Sequence, residues 1–283
     1  MRTLAPLGTV TAVNRGQADL ADAAGDFRAL RESIRTQRPR WIINPAAYTA
    51  VDKAESEPEL AYAINRDALR AIGEEAVQIG ATVIHFSTDY VFAGTGTAPY
   101  TETDATDPVS VYGASKLAGE IALAKSGAPY IIFRTSWVYG ATGKNFLRTI
   151  LKLARERETL RVVDDQHGAP TWSRDLAAMT AAVIAQSEAA ESIQNLSGIY
   201  HAAGAGETTW HGFAAEAVRQ SRKREPKTRF AEIEAITTAE YPTPAQRPSN
   251  SRLNCGKLEA TFGWKMMEWR ESLRNVLAEI ETQ

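Results

Sequence analysis

The sequence holds a single cysteine, Cys255. One thiol cannot close an intrachain disulfide, and it lacks the companions a metal site needs. The expected setting is therefore reducing and cytoplasmic. No apolar run approaches the roughly 20 residues of a membrane span. The opening Met1-Arg2-Thr3-Leu4-Ala5-Pro6-Leu7-Gly8 is too short and too weakly apolar for a signal peptide. Neither sign of charge dominates: 32 Lys and Arg face 34 Asp and Glu, for a formal net charge of -2. No global basic field draws nucleic acid. The only compact basic run, Arg222-Lys223-Arg224, reads as a solvated helix end. Internal repeats and low-complexity tracts are also missing, which excludes solenoids and disordered linkers.

What is present is an apolar fraction of 44% in 283 residues. That suffices for one large α/β domain or two lobes. Strand and helix patterns alternate along the first half. Thr9 to Asn14 reads as a strand, Asp26 to Gln37 as a helix stopped by Pro39, and Arg40 to Asn44 as a strand. Glu57 to Ile79 reads as one long helix with Pro58 in its first turn. Thr82 to Ser87 is extended, Val111 to Ala124 helical, Tyr130 to Ser136 extended, Lys144 to Arg155 helical and Leu160 to Val163 extended. Such alternation predicts a parallel, doubly wound, Rossmann-like α/β sheet with helices on both faces.

From Asp164 the pattern loosens into a loop to Trp172, a helix from Ser173, a strand near Tyr200 and a helix from Trp210. A Pro-rich stretch, Tyr241 to Pro248, and a helix from Glu271 to Thr282 follow. Residues 1–163 are expected to form the dinucleotide-binding domain. Residues 164–283 are expected to form a smaller substrate-binding lobe, with some chain crossing between the two.

A dinucleotide-binding sheet opens with a strand, a Gly-rich turn and a helix N-terminus that holds pyrophosphate. No G-x-G-x-x-G segment precedes Thr9. The first strand and Gly-rich loop are thus expected to be missing, about twenty residues by the usual lengths of such elements. A start assigned at an internal methionine accounts for this better than a short chain with impaired cofactor binding, because the downstream chemistry looks intact.

That chemistry centres on Tyr112-Gly113-Ala114-Ser115-Lys116. Tyr and Lys four apart share a helix face. A free phenol has a pKa of about 10, and a nearby ammonium favours its phenolate. Alone, this spacing equally describes a surface pair. Its context is more telling. The strand Thr82–Ser87 runs into Ser87-Thr88-Asp89, and ligands of open α/β sheets bind outside the carboxyl ends of the strands. A hydroxyl there, followed about 25 residues later by a helix opening with Tyr and Lys, suits a carbonyl reductase. The next strand ends in Arg134-Thr135-Ser136-Trp137 at the same edge.

On NPAAYTAVDKAESEPE (Asn44–Glu59), STDYVFAGTG (Ser87–Gly96), VYGASKLAGE (Val111–Glu120), FRTSWVYG (Phe133–Gly140), DQHGAPT (Asp165–Thr171) and YPTPAQRPSNSRLN (Tyr241–Asn254), the chain resembles the dTDP-4-dehydrorhamnose reductases, extended short-chain dehydrogenases. The resemblance covers nearly the whole chain from Leu4 onward. It implies NADPH-dependent reduction of a dTDP-linked 4-keto sugar for cell-envelope polysaccharide. Tyr112 is implied as proton donor, Lys116 as its pKa-lowering partner and Thr88 as the hydroxyl tuning both. Asp89 and Trp137 are implied as sugar contacts, and Asn145 and Arg247 as contacts on the nucleotide side.

For the cofactor, the resemblance implies Ala46, Ala47 and Tyr48 along it, and Asp19 and Leu20 on its adenine side. Asn14 and Arg15 stand where an acid would bind the ribose 2′-hydroxyl. Arg15 can take a 2′-phosphate instead, which favours NADPH over NADH. Mg2+ and a homodimer enter only through the resemblance, since no complete ligand set is visible.

Plainer readings stay open. Asp89 could cap a turn, Trp137 could belong to the core, Arg247 could pair on the surface, and Arg15 could be a loop charge. His85, His167, His201 and His211 show no ligand spacing and read as structural or exposed. Two rival functions remain. One is a non-catalytic regulatory subunit resembling the methionine adenosyltransferase β subunit. The other is a different nucleotide-sugar reductase or epimerase.

Overall fold

The computed structural model describes residues 2–190 and 192–281. In chain order its elements begin with α1 (Arg28–Gln37), β1 (Trp41–Asn44), α2 (Val51–Ala54), α3 (Pro58–Tyr62) and α4 (Ala68–Ile79). Then come β2 (Thr82–Thr88), α5 (Val111–Ser126), β3 (Tyr130–Thr135), β4 (Val138–Tyr139), α6 (Phe146–Glu156) and β5 (Thr159–Val163). The second half holds β6 (His167–Gly168), β7 (Thr171–Trp172), α7 (Ser173–Ala189), β8 (Gly198–His201), β9 (Thr208–Thr209) and α8 (Trp210–Arg224). It closes with β10 (Glu232–Ile236), α9 (Gly256–Phe262) and α10 (Trp269–Glu281). Thr282, the expected end of the last helix, lies outside the described residues.

Four strands form a parallel sheet in the order β1-β2-β3-β8. Helices cover both faces, as the alternation predicts. On one face Leu69, Ile72 and Leu123 pack against Val83 and Ile132. On the other, Met179, Val183, Leu258 and Phe262 pack against Ile84, Ile131 and Phe133. Each such buried side chain contributes roughly 1.5 to 3 kcal/mol through removal of its apolar surface from water. Strands buried on both faces explain the near-continuous apolar runs of β2 and β3.

Three local departures from the sequence pattern have physical causes. Thr9–Asn14 forms no strand: it joins no sheet, and all but Val10 are exposed. An extended segment without a ladder partner or a face to bury has nothing to hold it. The first helix starts at Arg28, because Asp26 and Phe27 adopt left-handed backbone (φ 50° and 53°). That turn drives the Phe27 ring into a pocket with Leu20, Ala68 and Ala71. Finally, the long helix after Pro58 is interrupted between α3 and α4 by a π-helical turn, Ala63–Asp67. The turn re-aims Asn65 toward the site described below.

The remaining elements build a smaller layer. β5 pairs in parallel with β10, not with the central sheet. Ile150, Ala154, Leu160, Val162, Ala214 and Val218 form the core between this pair and helices α6 and α8. The return of the chain matters most for the site. Asn250 donates its backbone N–H to the Gly94 carbonyl (2.9 Å), and Ser251 to the His167 carbonyl (2.7 Å). Residues 250 and 251 are thereby tied to the loop that follows β2 and to β6.

Candidate active site

Thr88 ends β2 and caps the 3₁₀ turn Asp89–Val91, its Oγ1 accepting the Tyr90 N–H at 3.2 Å. The same hydroxyl donates to Asp89 Oδ1 at 3.0 Å and also contacts the Tyr112 hydroxyl. That contact acts to lower the Tyr112 phenol, against the effect of its burial. Ser110 caps α5 by accepting the Gly113 N–H, so Tyr112 and Lys116 sit in the first turns of α5. Gly113 lets this helix end close on the 3₁₀ turn, since a β-carbon there would overlap the Tyr90 carbonyl. Sequence reading and structure agree that Thr88, Asp89, Tyr112 and Lys116 share one neighbourhood.

Their electrostatics differ from the expectation. Burial pushes the Tyr112 phenol up, with the Asp89 carboxylate and Tyr90 adding to the rise. Lys116 does not offset this, because its ammonium is turned inward. Nζ donates to the Phe86 carbonyl at 2.6 Å and lies 2.9 Å from His85 Nε2. Burial pulls Lys116 down to about 7, against the opposing field of Glu120. His85, expected to be structural or exposed, is thus the direct partner of Lys116. Asp89 is pushed up to about 6 by burial, opposed by hydrogen bonds from Ser251 and Thr88.

The loop after β1 is built around Asn65. Its Oδ1 accepts the Tyr48 N–H (2.9 Å), and its Nδ2 donates to the Tyr48 carbonyl (3.2 Å) and Ser115 Oγ (2.9 Å). Tyr48 is buried against Tyr112, and its hydroxyl donates to Glu57 (2.6 Å), which pushes it up to about 12. Ala46 is exposed and Ala47 half-buried at the end of β1. Asn14, Arg15, Asp19 and Leu20 stand apart from these residues. Asn14 caps its own turn, Arg15 pairs with Asp19 in an exposed ion pair (3.1 Å), and Leu20 packs beside Phe27. Among the described residues no hydrogen bond joins the two groups.

On the substrate side, Trp137 follows β3 in a left-handed backbone conformation (φ 49°). It belongs to no core cluster. Its ring stacks on Trp210 with centroids 3.7 Å apart, over Gly168, where a β-carbon would collide with it. Arg247 comes within one side chain of the phenol. It donates to Asp52 Oδ2 (2.8 Å) and to the Tyr90 hydroxyl (3.3 Å), and Tyr90 lies edge-on to Tyr112. Asn145 instead caps α6, its amide donating to the carbonyls of Gly140 and Thr142 and accepting from Arg148. Asn65, His85 and Ser251 were not legible as site residues. Ser251 and Asn65 reach the site through contacts distant in sequence, and His85 carries no motif.

Several buried polar atoms at the strand ends, Ser87 Oγ, Asp89 Oδ2 and Thr135 Oγ1, have no hydrogen-bond partner, where buried polar groups normally find one. Among the described residues no group of three or more His, Cys, Asp or Glu could hold a metal ion. No helix among them is long and apolar enough to cross a membrane.

A parallel sheet with a hydroxyl, a phenol and a lysine at its carboxyl edge defines a reductase of the short-chain type. The model of the RmlD substrate binding domain matches residues 1–282, and the chain belongs to that family, the dTDP-4-dehydrorhamnose reductases. It is 45% identical over 281 residues to the dTDP-4-dehydrorhamnose reductase of Salmonella typhimurium, covering 99% of this chain and 93% of that one. The enzyme of the same name from Escherichia coli K12 is also 45% identical, with the same coverage. A solved dTDP-4-dehydrorhamnose reductase from Bacillus anthracis, in complex with NADP, superposes with a TM-score of 0.87 at 32% identity, covering 96% of this chain and 90% of that one. One from Clostridium acetobutylicum gives 0.86 at 32% identity, covering 99% and 95%.

Proposed function

We propose that this chain reduces the C4 ketone of dTDP-4-dehydro-6-deoxy-L-mannose with NADPH, yielding dTDP-L-rhamnose for cell-envelope polysaccharide. The observation that carries it is the Thr88–Tyr112–Lys116 set at the carboxyl end of β2, joined there by Trp137 and Arg247. Membership of the reductase family and the NADP held by the Bacillus anthracis relative support the substrate and cofactor.

NADPH supplies the hydride when bound. Tyr112 supplies the proton to the new alkoxide. Its burial keeps that proton in place at working pH, as a donor requires, and an alkoxide is basic enough to take it. Thr88 orients the phenol and is placed to hydrogen-bond the substrate oxygen. Lys116 keeps an N–H beyond those given to Phe86 and His85, which would donate to a ribose hydroxyl of the bound cofactor. The unpartnered Asp89 Oδ2 accepts from a sugar hydroxyl, and the Trp137–Trp210 stack offers an apolar wall to the sugar ring. Arg247 suits the diphosphate, because a guanidinium donates two parallel hydrogen bonds. Asn145, the cap of α6, is assigned to the nucleotide side by family resemblance alone.

For the cofactor, the loop after β1 would lie along it. There the small residues Ala46 and Ala47 leave backbone accessible beside Tyr48. Arg15, with Asn14, Asp19 and Leu20, is assigned to the adenine side and to a preference for the 2′-phosphate of NADPH. A single, half-buried thiol and a nucleotide-sugar substrate support the cytoplasm as the compartment.

The test is NADPH oxidation on addition of the keto sugar, with the product identified by mass and NMR. Tyr112→Phe should lower kcat by about 10² to 10⁴ with unchanged circular dichroism. Turnover of Tyr112→Phe near the wild-type rate would sink the assignment.

A further inference from the structure

His85 lies at the centre of a buried chain that the reduction itself does not call for. It is 1% exposed, on β2, three residues before Thr88. Its Nε2 lies 2.9 Å from Lys116 Nζ. Its Nδ1 faces two groups of one residue: the Asn44 carbonyl oxygen at 3.2 Å and the Asn44 side-chain Nδ2 at 3.3 Å. The orientation of that amide is set independently, because Asn44 Oδ1 accepts the Ala46 N–H at 3.2 Å. Asn44 therefore offers the same imidazole nitrogen one acceptor and one donor.

A neutral imidazole carries one proton and has two tautomers. With Lys116 as an ammonium, Nε2 must accept, so the imidazole proton sits on Nδ1 and is donated to the Asn44 carbonyl. With Lys116 as a neutral amine, the lysine lone pair becomes an acceptor. The imidazole proton then sits on Nε2, and Nδ1 accepts from the Asn44 amide. In both states each imidazole nitrogen has a partner, and Phe86 keeps its bond from the lysine. An imidazolium is disfavoured by its burial, and beside the ammonium also by like charge.

We propose that His85 is a positioning residue that holds Lys116 in either of its protonation states, its tautomer following the lysine proton while Asn44 accommodates both. This deepens the reductase reading and rests on it for the role of Lys116. Lys116 would thus keep its place beneath Tyr112 when its charge changes in the reaction cycle. The charged and titratable groups around the pair are Tyr112 and Glu120 on α5, with Arg134 on β3 bound to Glu120. The Lys116 midpoint of about 7 puts the exchange within an accessible range.

The experiment is ¹⁵N NMR of the histidine ring in the free wild-type protein, titrated from about two units below to about two units above the Lys116 midpoint of about 7. The expected result is an Nδ1–H imidazole on the acid side that becomes Nε2–H on the alkaline side. In Lys116→Met the exchange should vanish, leaving one tautomer throughout. A single wild-type tautomer across the range, or an imidazolium at its acid end, overturns the proposal. In the assay, His85→Phe should lower kcat by about tenfold or more and move the alkaline limb of its pH profile to lower pH. His85→Gln, which keeps an acceptor, should restore part of both. A folded His85→Phe with the wild-type pH profile overturns positioning. The spectrum needs no substrate, so failure of the keto-sugar assay and failure of this proposal are separately visible.

Discussion

The carbonyl oxygen of Asn65 lies where a β-carbon on Gly119 would have to go. The π-helical turn that carries Asn65 can therefore approach α5 only because residue 119 has no side chain. Through that approach Asn65 holds Tyr48 on one side and Ser115 on the other. Gly119→Ala should destabilise the fold by about 1 to 3 kcal/mol, the usual cost of overpacking against rigid backbone. It should also raise KM for NADPH, since the Tyr48 loop moves with Asn65. Urea denaturation and initial-rate kinetics check the two effects.

Glu120 and Arg134 form an ion pair whose side chains are 2% and 4% exposed, with Arg134 Nε and Nη2 both donating to the carboxylate. Removing one partner strands the other charge. Glu120→Gln should cost about 3 to 5 kcal/mol in unfolding free energy. The double variant Glu120→Leu with Arg134→Met should recover most of that loss, because neither charge then remains buried. Equal instability of the single and double variants would contradict this account.

Asp89 ties stability to pH. Burial raises it from 3.8 to about 6 in the folded protein. A carboxyl raised on folding stabilises the native state below its unfolded pKa, and that contribution fades as pH climbs through the folded value. Wild type should thus lose stability relative to Asp89→Asn between about pH 4 and pH 7, by about 2 to 3 kcal/mol in all. Parallel thermal melts of both proteins across this range measure it. A constant offset between the two would show that Asp89 does not titrate in the fold.

Arg247 separates binding from stability. Its partners Asp52 and Tyr90 leave it 27% exposed, so its ion pair is worth no more than about 1 kcal/mol. Arg247→Met should shift the denaturation midpoint little, yet raise KM for the sugar nucleotide about tenfold or more by removing a charged diphosphate contact. Unchanged KM would take Arg247 out of the substrate site.

The reach of the sequence differs between parts of the site. The Tyr112–Lys116 spacing was legible because four residues along a helix is a local geometry. Thr88 was legible because a strand pattern ends visibly beside it. The direction of the Lys116 side chain was not, since it depends on His85, 31 residues away on the neighbouring strand. Arg247 meets Asp52 across 195 residues, and only the returning chain brings them together. Asn145 shows the reverse: a residue named for the nucleotide side also caps α6 with its amide, in a local role its position before Phe146 already permits.

By itself the sequence determined the alternation of strand and helix, the candidate site residues Thr88, Tyr112 and Lys116 and the edge of the sheet where they stand. These follow from periodicity and from propensities that act over a few residues. Tertiary structure decided what short-range patterns cannot encode. Thr9–Asn14 has strand-like residues but no ladder to join, while β5 finds its partner in β10, far along the chain. Lys116 carries its charge inward because packing places a carbonyl and an imidazole there and excludes water. The proton inventory of this site is therefore set by the burial of neighbours, and burial is a property of the folded whole.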